Sequence, residues 1–536
     1  MVLIIFWLSS AIIFTLIIGL SFITTDVLYS LILFIPLFLI GVYDTFQKKS
    51  NVLRLYPLVG HLRFMLQGIR PQIQQYFIET EQSGRPFSRE DRELVYQRAT
   101  KTLDTLPFGT QHDVYNPGYE SINHSIMPKV VAASEGRIIV GGPQCKKPYN
   151  ASRLNVSAMS FGAISKNAVL ALNRGAKMGN FAHNTGEGGL TPHHLKEGGD
   201  LIWQIASGYF GCRKENGRFD PIKFRDKAQI DNVKMIELKL SQGAKPGHGG
   251  VLPGRKVTAE IAAIRGIPIG VDCISPARNP EFNSPRELLE FLARLRELSD
   301  GKPVGFKLCL GNRFEFFGIC KAMLCTGIYP DFITVDGAEG GTGAAPVEFE
   351  NSIGVPLDEG LVFVRNAITG IGLRDYIRII ASGKIITGFD MVRNIAKGAD
   401  MCNSARGMMF ALGCIQSRRC NKNTCPTGVT TQKPVRVFSL SVDDKAPRVR
   451  NYHDATVKSF LEVIGAAGIA HVAELVPNYV HRRVGYGAAK HYDEIYHFLT
   501  PGQLLRGENL SQPFLDAWEK ADPDQFSYVF VYSESY

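Results

Sequence analysis

The stretch Met-Ile-Glu-Leu-Lys-Leu-Ser-Gln-Gly-Ala-Lys-Pro-Gly (235–247) shows the pattern that decides the fold. The apolar run Met235–Leu240 has the length of a buried strand, and a glycine-rich polar loop follows it directly. Further runs of this kind alternate with helical stretches between about residues 154 and 413, as in a strand–helix repeat. They are Leu154–Ala158, Asn180–His183, Pro268–Cys273, Val304–Leu308, Phe332–Val335, Ile377–Ala381 and Met401–Asn403. Eight such units predict an α/β fold, a parallel (β/α)₈ TIM barrel.

The helices between these runs support the same fold. The clearest is Pro285–Leu298, in which Leu288, Leu289, Leu292 and Leu295 recur at helical spacing. An open parallel sheet is the alternative arrangement, but no Gly-x-Gly-x-x-Gly follows the first strand. We therefore favour the closed barrel.

The first 43 residues have the composition of membrane-spanning segments. Val2–Thr24 and Val27–Tyr43 contain no charged side chain, and the first run is long enough to cross a bilayer. The basic cluster Lys48, Lys49, Arg54 and Arg63 follows the second run, which predicts that the rest of the chain lies on the cytoplasmic side. We interpret the segment as a transmembrane helical hairpin; one true span plus an interfacial segment is the alternative.

These features predict four regions. They are a transmembrane hairpin over 1–45, an N-terminal extension packing on the barrel over 46–150, the barrel with a cysteine loop over 151–435, and a C-terminal helical tail over 436–536. The formal net charge is +10, but the basic residues are scattered, so no nucleic-acid partner is expected. The 10 cysteines are too few for a disulfide framework in a chain of 536 residues.

Three lysines fall at predicted strand ends, where function is concentrated in a parallel barrel. A buried ammonium group is costly unless an anion or an electron-rich group compensates it. Lys307 is the candidate for the edge of a flavin, and Lys239 and Lys245 suit a substrate carboxylate. Structural lysines at the barrel rim are the alternative interpretation.

Cys414, Cys420 and Cys425 form the sharpest local signal, directly after the eighth predicted strand. Zinc sites usually have four ligands at tighter spacing, and no histidine lies between His248 and His453. Three thiolates followed by Cys-Pro favour an iron–sulfur cluster. Cys402 is a candidate fourth ligand or, within a strand, a packed core thiol.

Residues about 150–435 resemble the FMN-binding synthase domain of glutamate synthases, and the rest of the chain after residue 45 resembles the stand-alone members of that family. The stretches that carry the resemblance are Ser-Ala-Met-Ser-Phe-Gly-Ala-Ile-Ser (157–165), Asn-Thr-Gly-Glu-Gly-Gly (184–189), Ile-Glu-Leu-Lys-Leu-Ser-Gln-Gly-Ala-Lys-Pro-Gly (236–247), Gly-Gly-Thr-Gly-Ala (340–344) and Ala-Leu-Gly-Cys…Cys…Cys-Pro-Thr-Gly (411–428). The resemblance implies FMN, a [3Fe–4S] cluster on the three cysteines, and the reduction of 2-iminoglutarate to glutamate. It also implies catalytic roles for Glu187, Lys239, Gln242 and Lys245.

The residues expected to hold FMN follow the predicted strands. They are Ala158, Met159, Ser160, Asn184, Gln204, Lys307, Gly340, Gly341, Thr342, Ser382, Gly383, Ala405, Arg406 and Gly407. Glu187 is the expected acid–base residue, and a helix N-terminal cap is its alternative role. Three places differ from the family pattern, where substrate carboxylate or partner contacts are expected: Leu190, Tyr209, and Pro-Ala-Arg-Asn-Pro (276–280).

The sequence shows no amidotransferase domain and no recognisable NAD(P)H-binding unit, so ammonia or another amine and the electrons are expected from elsewhere. The expected enzyme is a membrane-anchored oxidoreductase of the class acting on CH–NH₂ donors. It takes 2-oxoglutarate or a related 2-oxo acid, with ferredoxin or an NAD(P)H-oxidising subunit as electron donor, and makes glutamate or an N-substituted glutamate. The alternative is a membrane-bound FMN and iron–sulfur electron-transfer or assembly component without synthase activity.

Overall fold

A closed barrel of eight parallel strands lies at the centre of the chain in the computed structural model, which describes residues 1–102 and 104–527. Each strand pairs with the next along the chain, and the last pairs with the first. The strands are β1 Leu154–Val156, β2 His183–Asn184, β3 Leu201–Ile205, β4 Val233–Lys239, β5 Val304–Leu308, β6 Phe332–Asp336, β7 Arg378–Ser382 and β8 Met401–Ser404. The predicted TIM barrel is confirmed.

One predicted strand is wrong and one was missed. Pro268–Cys273 is outside the barrel; Cys273–Ile274 instead pairs antiparallel with Val251–Leu252 in a separate two-stranded sheet. The missing barrel strand is β3, whose five residues are all buried. Only the four-residue helix Pro192–Leu195 separates β2 from β3, so the spacing of a full strand–helix unit does not reveal this strand. Pro268 and the positive φ of Gly270 interrupt the wrongly chosen run.

Helices surround the barrel, and their ends carry recognisable caps. The predicted helix Pro285–Leu298 is confirmed: Ser284 accepts a hydrogen bond at its N-terminus, and its leucine stripe is buried. The other helices of six or more residues in and around the barrel, up to residue 411, are Arg89–Thr100, Lys166–Gly179, Pro221–Ala228, Ala259–Arg265, Arg313–Thr326, Val347–Ser352, Leu357–Gly370, Gly388–Ala396 and Arg406–Ala411.

Side chains inside the barrel form two layers of different polarity. The lower layer is apolar and includes Ile202, Met235 and Phe332; the antiparallel pair Arg137–Val140 and Tyr149–Ser152 packs against it from below. Two residues further along each strand, the interior positions are polar, since alternate residues of a strand face the same side. They include Asn184, Gln204, Glu237, Thr334, Ser382 and Asn403, all buried. These polar side chains lie directly below the C-terminal ends of the strands, where the active sites of such barrels are found.

The C-terminal region is a mixture of helices and strands rather than the predicted helical tail. The long helix Val442–Ala466 is followed by the strands Val480–Gly485 and Ala488–His491, which form a three-stranded antiparallel sheet with Glu120–Ile122. Shorter helices follow; they are Tyr492–Ile495, Gln503–Arg506 and Gln512–Lys520. Residues 528–536, the end of the predicted helical tail, lie outside the described part of the chain.

The chain divides into two units, Met1–Arg89 and Glu90–Tyr536, and the four predicted regions remain a prediction. The first unit contains the helices Val2–Ser21, Leu31–Phe46, Asn51–Leu55 and Val59–Ile73. Phe14 packs edge-on against Phe34 and Phe38 at centroid distances of 4.8 and 5.3 Å, so the first two of these helices pair with each other. Val2–Ser21 and Thr25–Phe46 are long and apolar enough to cross a membrane.

Candidate active site

Glu187, Lys239 and Gln242, all predicted catalytic residues, meet at the C-terminal end of the barrel. Lys239 is the last residue of β4, and its Nζ donates to Glu187 Oε1 at 2.8 Å and to Gln242 Oε1 at 2.5 Å. Both members of the ion pair are largely buried. Burial by itself would raise the pKa of Glu187, but Lys239, with Lys245 and Arg265 further away, lowers it. Glu187 is therefore a carboxylate at neutral pH, and among the described residues it accepts no hydrogen bond from a helix N-terminus.

Lys245 lies close to this pair without a carboxylate of its own. Its Nζ donates to the Ala344 carbonyl at 2.9 Å, and no described Asp or Glu oxygen lies within 4 Å of it. Burial, together with the positive charge of Lys239, lowers the pKa of Lys245 to about 8. An anion arriving beside Lys245 would raise this pKa again and so stabilise its charged form.

Lys307 stands next to Lys239 in the barrel wall, because β4 and β5 pair with these two residues in register. Asp336, the last residue of β6, lies 3.3 Å from Lys307 and also accepts from the Gly243 amide at 2.8 Å. Burial opposes the charge of Lys307, but Asp336 and Glu237 outweigh this and raise its pKa. Lys307 thus stays protonated and faces the barrel interior.

Glu237 is a buried carboxylate that the sequence reasoning missed. It lies in the polar layer below Lys239, where Oε1 accepts from the amides of Asn184 at 2.8 Å and Gln204 at 2.6 Å. Its Oε2 accepts from Thr334 Oγ1 at 2.6 Å. Glu237 thus fixes the orientation of the Asn184 and Gln204 amides, both predicted to bind the cofactor. Gln204 lies inside β3, and not after a strand as the sequence predicts.

Arg265 is a second functional candidate that the sequence reasoning missed. It closes the helix Ala259–Arg265 and is only 5% exposed. Its Nη2 donates to the Phe161 carbonyl at 3.0 Å, its guanidinium lies 5.0 Å from the centroid of the Phe210 ring, and its Nε has no partner in the described structure. No described carboxylate lies within 4 Å of it. A buried guanidinium without a counter-ion is suited to binding an anion.

Glycines allow the loops at this end to approach closely. Gly186 has φ +65°, and a Cβ on it would lie 2.5 Å from the Ser160 amide nitrogen. Ser160 Oγ in turn accepts from the Gly188 amide at 3.1 Å, which joins the loop after β1 to the loop that carries Glu187. A side chain at Gly243 would overlap the Gly337 carbonyl, so the loops after β4 and β6 are equally close.

The remaining predicted cofactor residues lie on the loops after β1, β6, β7 and β8 or at their borders: Ser382 ends β7, and Arg406 and Gly407 begin the helix Arg406–Ala411. Arg406 Nη2 donates to the Glu339 carbonyl at 2.8 Å, and Gly341 packs directly against the Arg406 guanidinium. Ser382 Oγ lies 3.5 Å from Ser157 Oγ, across the barrel seam. The other members of these loops are Ala158, Met159, Gly340, Thr342, Gly383 and Ala405. Gly407 differs, because it packs against the Tyr452 hydroxyl on the helix Val442–Ala466.

Two of the three places that depart from the family pattern contact each other. Tyr209 adopts a positive φ of 44° and is buried, and its hydroxyl donates to Asn279 Oδ1 at 2.7 Å. Asn279 comes from the Pro-Ala-Arg-Asn-Pro stretch. Leu190 follows Gly189, which packs against the Phe210 carbonyl next to Tyr209. The three departures therefore form one continuous region.

The three predicted cluster cysteines lie on the segment after the helix Arg406–Ala411, which itself follows β8. Burial, with Cys420 and Cys425 nearby, raises the pKa of Cys414 to about 12. Lys256 is buried beside the same loop and donates to the Ala163 carbonyl at 2.6 Å and the Cys420 carbonyl at 3.3 Å. Within the described residues, no group of three His, Cys, Asp or Glu side chains is close enough to hold a single metal ion.

Cys402 does not join this group. It lies within β8 between Met401 and Asn403, and Met401 belongs to the apolar layer inside the barrel. Because side chains alternate along a strand, the buried Cys402 thiol faces the surrounding helices. It is a packed core thiol, as in the second of the two interpretations.

Residues 121–470 match the family model described as a conserved region in glutamate synthase. The chain is similar to the glutamate synthase large subunit-like protein YerD of Bacillus subtilis, with 36% identity over 498 residues, 85% of this chain and 94% of that protein. It is also similar to the archaeal glutamate synthase (NADPH) of Methanocaldococcus jannaschii, with 37% identity over 324 residues, 60% of each chain. Among solved structures, a mandelate oxidase with (S)-4-hydroxymandelic acid covers 79% of this chain and 99% of its own, with 14% identity and a TM-score of 0.43.

Proposed function

Because this chain belongs to the glutamate synthase family, we propose that it reduces the imine formed from 2-oxoglutarate and ammonia, or another amine, to glutamate or an N-substituted glutamate. It is an oxidoreductase of the class acting on CH–NH₂ donors. In the proposed reaction the oxo acid and the amine condense with loss of water. The imine then takes up two electrons and two protons.

The observation that carries the choice of substrate is the pair of buried cations without carboxylate partners. Lys245 is 2% exposed and Arg265 is 5% exposed, and no described Asp or Glu oxygen lies within 4 Å of either. Burying two such charges is costly unless an anion accompanies them. A 2-oxo dicarboxylate supplies one negative charge for each. A neutral or cationic substrate would leave both with only the more distant charge of Glu187.

Glu187 and Lys239 are the residues suited to proton movement in this reaction. The lowered pKa of Glu187 keeps it ionised, so it acts as a base and not as a standing acid. We assign it the proton released as the amine attacks the oxo carbon. Lys239 carries protons on Nζ next to Glu187 Oε1 and can return one as water leaves. Gln242 holds Lys239 from the other side.

The polar residues at the barrel mouth fit FMN. Asn403 Oδ1 is buried in the polar layer and has no partner in the described structure, and Gly341 lets its loop lie directly against Arg406, where a Cβ would be 2.8 Å from the guanidinium. Lys307 would lie at the edge of the flavin ring that becomes negative on reduction. The segments with Ser382 and Arg406 would hold the FMN phosphate. When bound, FMN supplies a hydride to the imine carbon, and an iron–sulfur cluster supplies the electrons singly.

The cysteine loop fits a [3Fe–4S] cluster better than a single metal ion. Each thiolate of such a cluster binds a different iron, so the three sulfurs need not surround one point. Burial opposes ionisation of Cys425, but the hydroxyl and amide groups of Thr430 and Thr427 lower its pKa. The Lys256 ammonium offsets further thiolate charge. Burial lowers the pKa of Lys256, and the charges of Cys420 and Cys425 raise it.

We propose that the amine and the electrons come from separate proteins. No acidic residue lies between Asp400 and Asp443, and the exposed basic residues of this segment flank the cysteines. These residues are Arg418, Arg419, Lys422 and Lys433. Val435 and Phe438 lie beside them and are 85% and 87% exposed. Exposed basic and apolar side chains in one segment without acidic residues suit an acidic electron carrier such as a ferredoxin; an NAD(P)H-oxidising subunit is the other candidate.

We propose that residues 1–45 anchor the enzyme to a membrane with the barrel on the cytoplasmic side. Support comes from two apolar helices and the basic residues that follow them. Deleting residues 1–46 is expected to release, at high salt, a soluble protein that still binds FMN. Recovery of the intact protein in the soluble fraction without detergent would contradict the anchor. Digestion of the barrel by a protease outside intact cells would contradict the orientation.

Product identification tests the proposed reaction against the electron-transfer alternative. Purified full-length protein, 2-oxoglutarate, a strong one-electron reductant and ¹⁵N-ammonia are expected to give ¹⁵N-glutamate by mass spectrometry. Methylamine in place of ammonia tests for N-methylglutamate. A protein that contains both cofactors and takes up electrons, yet forms neither product from any 2-oxo acid, would be an electron-transfer or assembly component instead.

A further inference from the structure

The helix Val59–Ile73 carries an apolar stripe that the barrel chemistry does not use. Viewed at 3.6 residues per turn, the stripe spans an arc of roughly 120°. Its members are Val59, Leu62, Met65, Leu66, Ile69 and Ile73, which are between 37% and 61% exposed. A π-helical turn, Gln74–Ile78, continues the helix and exposes Tyr76, Phe77 and Ile78. The whole segment presents an apolar face to its surroundings.

The charges beside this stripe are of one sign. Arg63 and Arg70 fall at one border of the stripe, within about 40° of Val59 on the helical wheel. No Asp or Glu lies between Asp44 and Glu79, whereas Lys48, Lys49 and Arg54 precede the helix. Long basic side chains at the border of an apolar stripe can keep their stems on apolar surface and place their charges among anionic head groups.

Asp44 ties this helix to the end of the second apolar helix. Its carboxylate is fully buried, accepts from the Leu58 amide at 3.0 Å, and lies 2.9 Å from His61 Nε2. All three residues belong to the Met1–Arg89 unit. These Asp44 contacts therefore fix the start of the stripe next to the C-terminal end of the helix Leu31–Phe46, close to Lys48 and Lys49.

We propose that Val59–Ile78 lies in the surface of an anionic phospholipid bilayer, with its apolar stripe among the acyl chains and Arg63 and Arg70 among the head groups. This inference rests on the proposed membrane anchoring and adds a lipid preference to it. The absence of acidic residues and the continuity with two apolar helices favour lipid over a second copy of the chain or another protein. Basic residues near such a surface strengthen the binding of the segment to anionic lipid.

Tryptophan substitution in the full-length protein tests the proposal. Leu66→Trp places the reporter in the stripe, and the matched control Gln67→Trp places it one residue further, about 100° away. Both are reconstituted into vesicles of neutral lipid or of neutral lipid with phosphatidylglycerol, with and without brominated acyl chains. The wild-type signal from Trp7, Trp203 and Trp518 is subtracted. Trp7, in the first apolar helix, reports on the hairpin itself.

The proposal predicts blue-shifted emission and strong quenching by brominated lipid for Leu66→Trp, greater with phosphatidylglycerol, and weak quenching for Gln67→Trp. Adding Arg63→Gln and Arg70→Gln is expected to abolish the effect of phosphatidylglycerol. Quenching of Trp7 without quenching at residue 66 would overturn the interfacial helix and leave the anchor intact. No quenching of Trp7 would overturn the anchor on which it rests. The proposal would also be overturned if the Leu66→Trp emission were already blue-shifted in detergent and brominated lipid did not quench it in vesicles. That result would indicate that a protein surface, not lipid, covers residue 66.

Discussion

Lys239 donates a 2.8 Å hydrogen bond to Glu187 across the mouth of the barrel, joining the end of β4 to the glycine loop after β2. The pair keeps Glu187 ionised although it is buried, because Lys239 offsets the effect of burial on its pKa. This gives the site a base and a proton carrier in direct contact.

Replacing Glu187 by Gln is expected to lower turnover by about 100-fold, the lower end of the usual contribution of general acid–base catalysis. The amide cannot take up the proton, which lowers turnover. Because it has the same shape as the carboxylate, the flavin content should be unchanged. Steady-state kinetics with a small-molecule reductant measure the effect, and the exposed Glu260→Gln serves as control. Full turnover of the Glu187→Gln enzyme with flavin still bound would show that Glu187 is not the base.

Binding of 2-oxoglutarate is expected to weaken at alkaline pH through Lys245. Its pKa in the free enzyme is about 8, so the ammonium group is lost as the pH rises through that value. The dissociation constant should then increase about tenfold per pH unit above about 8. Equilibrium binding without ammonia measures this, and Lys245→Arg, which keeps its charge, should remove the dependence. The same alkaline weakening in Lys245→Arg would assign it to another group.

Replacing Cys420 by Ser is expected to remove cluster iron and sulfide while at least part of the flavin remains. The reason is that a hydroxyl is a poor ligand for this cluster, whereas the barrel mouth lies on other loops. Iron, acid-labile sulfide and flavin analyses measure the three contents. The matched control is Cys325→Ser, an exposed cysteine outside the loop. Zinc in place of iron in the wild-type protein would refute the cluster.

Reversing the charges of Arg419 and Lys422 together is expected to raise the KM for an acidic protein donor about tenfold at low ionic strength. The kcat with a small reductant should not change, since neither side chain lies at the barrel mouth. Lys458→Glu, at an exposed position on the helix Val442–Ala466, is the control. An unchanged KM for a bacterial ferredoxin, with wild-type salt dependence, would place the donor elsewhere.

The barrel could be predicted from the sequence because most of its strands are short apolar runs with glycine loops after them. β3 escaped because its interior residue, Gln204, is polar and was taken for a loop residue. Pro268–Cys273 does end in a real strand, Cys273–Ile274, which pairs outside the barrel. What decides between the two is pairing with the neighbouring strands, a long-range property that local patterning does not contain.

The site could be predicted only in part for a similar reason. Glu187, Lys239 and Gln242 stand out as polar residues after a strand or within a glycine loop. Glu237 and Arg265 do not, since one lies within a strand and the other on an amphipathic helix, where a charged residue usually faces solvent. An acidic residue in the middle of an apolar strand run is the signal that would have indicated Glu237.

Reoxidation of the chemically reduced protein tests the proposed synthase reaction most directly. The full-length enzyme, reduced anaerobically with dithionite, is mixed with 2-oxoglutarate and ammonia while flavin absorbance is followed. We expect rapid return of the oxidised flavin spectrum with both substrates together, a much slower return with either alone, and one glutamate formed per flavin. Absence of any reoxidation that depends on a 2-oxo acid, with ammonia or with methylamine, would contradict the proposed function.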